Sequence, residues 1–90
     1  MDVYEAIRQM RAKSEQGETF SFAFMSYSYE RGKSDGIVKV ENARLRKQST
    51  KDKNRFADFM LNYYNLDTME NGSCWQMLLL EYEGQELELN

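Results

Sequence analysis

Histidine and proline are both missing from this 90-residue chain, cysteine and tryptophan occur once each, and no lysine or arginine follows Arg55. Each absence removes something. Without histidine, a nucleophilic Cys74 or serine would need a lysine, a carboxylate or the terminal amine as its base. One cysteine cannot form an internal disulfide, and it falls far short of the roughly four ligands of a structural zinc site. The longest uncharged apolar runs, 20–29 and 74–80, are well below the roughly 20 residues of a membrane span, and no charged start followed by an apolar stretch marks a signal peptide. These absences predict a non-enzymatic cytoplasmic protein without cofactor, metal, membrane or small-molecule substrate.

What is present belongs to a globular chain. Hydrophobic residues make up 41% and aromatic residues 13%, enough apolar surface to separate it from disordered sequences. A single domain over 1–90 is expected, burying about 60 to 65% of the surface its unfolded chain exposes. At about 0.05 to 0.15 kcal/mol per residue its stability is roughly 5 to 13 kcal/mol, so one lost aromatic anchor would take a large share.

Asp2 and Glu5 have the spacing of a capping box and predict a helix start. Val3, Ile7, Met10 and Ser14, with Ala6 beside them, recur on one helical face, and Gly17 supplies the left-handed stop. From Thr19 the period becomes two: Phe20, Phe22 and Phe24 point one way, and Ser21, Ala23, Met25, Tyr27 and Tyr29 the other. Asp35 and Gly36 read as a turn pair before a return strand from Ile37 to about Arg46. A tight turn there would set Glu30 against Glu41, so a longer loop or a bulge near Glu41 and Asn42 is required.

Residues 47–55 are polar and basic and read as a connection. Phe56, Phe59, Met60 and Tyr63 fit a helix face, whereas Phe59, Leu61 and Tyr63 fit a strand. A two-residue turn at Asn71 and Gly72 favours the strand, because it sets Leu61 opposite Tyr82, Tyr63 opposite Leu80 and Leu66 opposite Met77. A further turn near Glu83 and Gly84 then brings Leu87 and Leu89 to the face of Leu78, Leu80 and Tyr82. Glu81, Glu83, Glu86 and Glu88 fall on the opposite face, together with Trp75, Met77 and Leu79, which need cover from another element or a partner. The predicted fold is α+β, one N-terminal helix on an antiparallel sheet of four or five strands that can curl toward a small barrel.

Charge points to partners. Arg44, Arg46, Lys47, Lys51, Lys53 and Arg55 place six cations in twelve residues, opposed only by Asp52. Six phosphate contacts would give nucleic-acid binding with a log-log salt slope of about −5. Against this, the chain as a whole carries net charge −3, where nucleic-acid domains are usually basic. Tyr27, Tyr29, Tyr63 and Tyr64 could stack bases, although at strand spacing tyrosines more often belong to a core or sheet surface. The C-terminal glutamates could meet the spacing of a glycosidase pair, but any acidic hairpin would do the same, and a solvated, edge-protecting face is the simpler reading. Asp67, Asn71 and Gly72 match three slots of a calcium loop, but Met69 and Leu78 occupy ligand positions and break it. The glycines form no phosphate loop.

The runs 21–27 and 43–46, and Tyr63–Tyr64 with Cys74, Trp75 and Gln76, resemble small uncharacterised proteins from prophage-like or mobile regions of gut Bacteroidetes genomes. The resemblance covers most of the chain and implies a phage-assembly or accessory role by contact, with no activity and no functional residues. Two function classes follow. The first is a structural or interaction protein whose basic residues 44–55 and whose Glu81, Glu83, Glu86 and Glu88 complement each other between copies or against a larger protein. The second is a nucleic-acid-binding accessory protein using the basic segment.

Overall fold

The computed structural model describes residues 1–89. One helix, α1 (Val3–Glu15), packs on six strands: β1 (Phe20–Ser28), β2 (Lys33–Leu45), β3 (Met60–Asn65), β4 (Glu70–Trp75), β5 (Leu79–Tyr82) and β6 (Gln85–Glu86). The sheet is antiparallel, in the order β4-β3-β2-β1-β5-β6. The α+β class is as expected, but the sheet has six strands instead of four or five, and it is open instead of closing into a barrel.

The N-terminal half follows its periodicity. Val3, Ala6 and Met10 are buried against Phe20, Phe22 and Phe24 of β1 and Val40 of β2. Ser14 completes that face, since its hydroxyl accepts the Leu45 N–H at 2.8 Å and ties the helix to β2. Gly17 adopts φ 77° and closes the helix as predicted. The capping box does not form. Asp2 makes no side-chain cap, because its backbone is taken up in a parallel bridge to Glu88, and Glu5 turns to Arg8.

Asp35 and Gly36 do not make the hairpin turn. The chain reverses over 29–32, with the Gly32 N–H donating to Ser28 O at 2.7 Å and Gly32 at φ 62°. Gly36 lies in β2 opposite Ser26, and the Ser26 hydroxyl donates to Gly36 O and accepts from the Asp35 N–H. The bulge at Glu41 and Asn42 is present: Phe22 faces Val40 while Phe20 faces Ala43.

The C-terminal half departs further. Residues 56–64 divide into a 3₁₀ turn, Ala57–Phe59, and then β3. The reversal after β3 spans 66–69. Asn65 Oδ1 accepts the Asp67 N–H at 2.9 Å, and Asn42 clamps the Asp67 carboxylate at 3.0 Å. Leu61 therefore faces Cys74 and Tyr63 faces Gly72, not Tyr82 and Leu80. A second 3₁₀ turn, Gln76–Leu78, then carries the chain from β4 at one edge of the sheet to β5 on the far side of β1. A bulge at Leu80, where Phe24 faces Leu79 and Ala23 faces Glu81, reverses the alternation. Leu79 and Tyr82 are consequently both buried, while Phe59 and Leu89, expected inside, are exposed.

Candidate interaction surfaces

The basic segment is an ordered connection. Gln48 Nε2 donates to Ala57 O and to Met60 O at 2.6 Å, and Asn62 Nδ2 donates to Lys47 O at 3.1 Å and Ser49 Oγ at 2.8 Å. These amides fix the path, and the six cations then diverge. Arg44 donates to Gly17 O at 2.7 Å beyond the end of α1. The Arg46 backbone joins Asn62 and Arg11. Lys51 pairs with Asp58 at 2.9 Å, which raises the ammonium above its ordinary pKa. Lys47 is exposed. Lys53 and Arg55 alone come together, on the rim of an open cleft of about 720 Å³.

Of the four glutamates, only Glu81 and Glu86 come together. Glu83 sits in the β5–β6 turn at φ 50°. Its carboxylate lies 2.6 Å from Lys13 Nζ and accepts the Ser21 hydroxyl at 3.2 Å. The hydrogen bond from Lys13 is the largest influence holding Glu83 below the ordinary carboxylate range. Glu81 and Glu86 face each other across β5 and β6. Glu88 is used through its backbone, donating to Met1 O and accepting from the Val3 N–H. The structure thus keeps two of the four on one face and gives Glu83 and Glu88 partners elsewhere.

Cys74 is buried, and burial pushes its thiol up to about 12, so at neutral pH it packs as a small apolar side chain. Among the described residues no group of acidic or cysteine side chains could hold a metal ion, and no helix is long and apolar enough to cross a membrane.

Apolar exposure supplies what charge does not. Of the eight large apolar side chains exposed among the described residues, six line three depressions that adjoin through shared residues. Tyr4, Phe59, Met77 and Leu89, each between 50 and 61% exposed, surround a depression of about 220 Å³. Met77 also borders the next depression, with Tyr27, Tyr29, Trp75 and Leu78. The second 3₁₀ turn creates this arrangement, because it must cross the sheet end and carries Met77 outward. The sequence signalled Met77 and Trp75 as side chains needing cover. Tyr4, Phe59 and Leu89 come from distant segments and carried no such signal.

At the far end of this surface the lining changes. Tyr29, Phe56 and Trp75 pack in a row, with ring centroids 4.7 Å and 5.2 Å apart. The Arg55 guanidinium lies 4.8 Å from the Phe56 ring centre and 5.5 Å from that of Tyr29. Trp75 Nε1 donates to Tyr27 O at 3.0 Å, which anchors the row to the end of β1. Of the four tyrosines read as stacking candidates, Tyr27 and Tyr29 are exposed here, Tyr63 is in the core and Tyr64 is half-buried in the sheet.

Fold and surfaces define a small α+β protein with an open sheet and exposed apolar side chains gathered in adjoining depressions. Comparison with models of protein families, with curated proteins and with solved structures finds no match for the chain.

Proposed function

We propose that this is a non-enzymatic interaction module that works by contact, and that its first partner is a second copy of the same chain. The observation that carries the reading is the gathering of four exposed large apolar side chains, Tyr4, Phe59, Met77 and Leu89, around one depression. Scattered apolar residues are ordinary on a monomer, whereas a contiguous patch marks an interface. Lys51 and Asp58 beside Phe59 pair with each other, so a second copy can meet this rim without like-charge repulsion. The head-to-tail pairing of cations and glutamates has weaker support, since Lys51 and Glu83 already have partners within the monomer. A phage-assembly or mobile-element accessory role, which the resemblance implies, suits a protein of this kind.

Sedimentation velocity over a concentration series tests the proposal. Association through Tyr4, Phe59, Met77 and Leu89 persists in about 0.5 M salt, where the Debye length has fallen below about 5 Å, and the Met77→Ser, Phe59→Ser variant is monomeric. A monomer at every concentration and salt rules out self-association.

A further inference from the structure

The geometry points to a second site, next to the Met77 patch: the cleft between the end of β1 and the basic connection takes single-stranded nucleic acid. Tyr27 and Tyr29 are exposed, Phe56 and Trp75 continue a packed row from Tyr29, and Trp75 Nε1 holds the Tyr27 carbonyl. Such a row is ordered before any ligand arrives, so little side-chain freedom is lost on binding. Lys53 and Arg55 border the same cleft, and neither forms an ion pair among the described residues. Arg55 already lies over two ring faces, in position to meet the phosphate of a base stacked beside it.

Exposed aromatic faces next to unpaired cations are the two components of single-strand recognition. The only carboxylate in the lining is Glu30, against two cations. This local excess stands out in a chain of net charge −3. The adjoining depression of about 260 Å³, shared by Tyr27, Tyr29 and Trp75, is apolar throughout its lining. It suits a flat base edge and gives nothing to a sugar-phosphate backbone. A duplex keeps its base faces stacked internally and cannot use these rings. An acidic peptide could meet the cations but would leave the exposed ring faces unused.

Trp75 is the single tryptophan of the chain, so its fluorescence reports directly on the cleft. In about 50 mM salt, twelve-nucleotide single strands of dT and of rU should quench it and should bind far more tightly than a DNA duplex of equal length. With two phosphate contacts and about 0.7 counterions released per contact, affinity falls about 7-fold between 50 and 200 mM salt. Tyr29→Ala should weaken binding about 5- to 150-fold, the range for removing one stacking ring. Lys53→Ser with Arg55→Ser should weaken it and flatten the salt dependence, while a Lys33→Ser control binds as wild type. All four positions are exposed, and unchanged far-ultraviolet dichroism checks folding. Absence of quenching at 50 mM salt overturns the proposal. So does equal binding of a poly-glutamate peptide, which would assign the cleft to an acidic protein segment.

Discussion

Lys13 Nζ and a Glu83 carboxylate oxygen lie 2.6 Å apart, joining the last turn of α1 to the β5–β6 turn across 70 residues of sequence. Ser21 adds a second clasp: its hydroxyl donates to the Glu83 carboxylate, and its carbonyl accepts the Glu83 N–H at 3.0 Å. Helix, β1 and C-terminal hairpin thus meet at one carboxylate.

Both side chains of this pair are about one-third exposed, so Glu83→Gln should cost only about 0.2 to 1 kcal/mol. Glu83 is held below its ordinary value of 4.5, chiefly by the Lys13 hydrogen bond. Its contribution is therefore present above that value and is lost as pH falls through the lowered one. Lys13 is raised above 10.5, chiefly by the Glu83 hydrogen bond, so the same contribution is complete below 10.5 and is lost as pH rises beyond it. Urea midpoints of wild type and Glu83→Gln should differ by a constant amount from about pH 5 to about pH 10 and converge at either extreme.

Gly72 is needed for contact, not for a turn. A Cβ at this position would overlap the ring and hydroxyl of Tyr63, whose ring packs edge-on to Phe22 at 5.2 Å and to Phe24 at 5.8 Å. Gly72→Ala should destabilise by about 1 to 3 kcal/mol, the usual range for overpacking. Combining it with Tyr63→Leu should cost less than the sum of the two single changes, read from urea unfolding. Strict additivity would show that the ring does not lie over Gly72.

Tyr82 is almost wholly buried, and its phenol oxygen meets no hydrogen-bond partner among the described residues. A buried polar group without a partner costs about 1 to 3 kcal/mol. Tyr82→Phe should therefore be neutral or stabilising by about 1 kcal/mol in thermal unfolding. A loss of 1 kcal/mol or more would mean that the hydroxyl is satisfied.

Glu81 and Glu86 stand opposite each other in the β5–β6 ladder, and like charges so placed are destabilising. Glu86→Gln should stabilise the protein by roughly 0.2 to 1 kcal/mol, and the gain should shrink as salt rises and screens the pair. A gain of equal size at low and high salt would point to something other than repulsion.

The N-terminal half was legible because its signals are local. Helical spacing in 3–14, the stop at Gly17 and the alternation of Phe20, Phe22 and Phe24 each depend on neighbours in sequence. The C-terminal half was misread where a local signal served a distant purpose. Asn71 and Gly72 have the composition of a turn, yet Gly72 is small so that Tyr63 can cross it. The bulge at Leu80 has no composition of its own, and one extra residue there turned Leu79 inward while Tyr82 stayed inside. Glu81 and Glu86 still share a face, and it is Glu83 in the turn and Glu88 at the Met1–Val3 backbone that leave the predicted acidic set. Of the contact surface, an uncovered Met77 could be read from alternation, whereas its grouping with Tyr4, Phe59 and Leu89 depends on the fold bringing four segments together.

The proposed association runs through the exposed apolar residues and not through pairing of the cationic and acidic segments. A dilution series of ¹H–¹⁵N correlation spectra tests this most directly, since it shows which residues sense association. Association through the apolar patch gives concentration-dependent shifts at Tyr4, Phe59, Met77 and Leu89 and their immediate neighbours, retained in high salt. Shifts confined to Lys47, Lys51 and Lys53 with Glu81, Glu86 and Glu88, and abolished by salt, would contradict it.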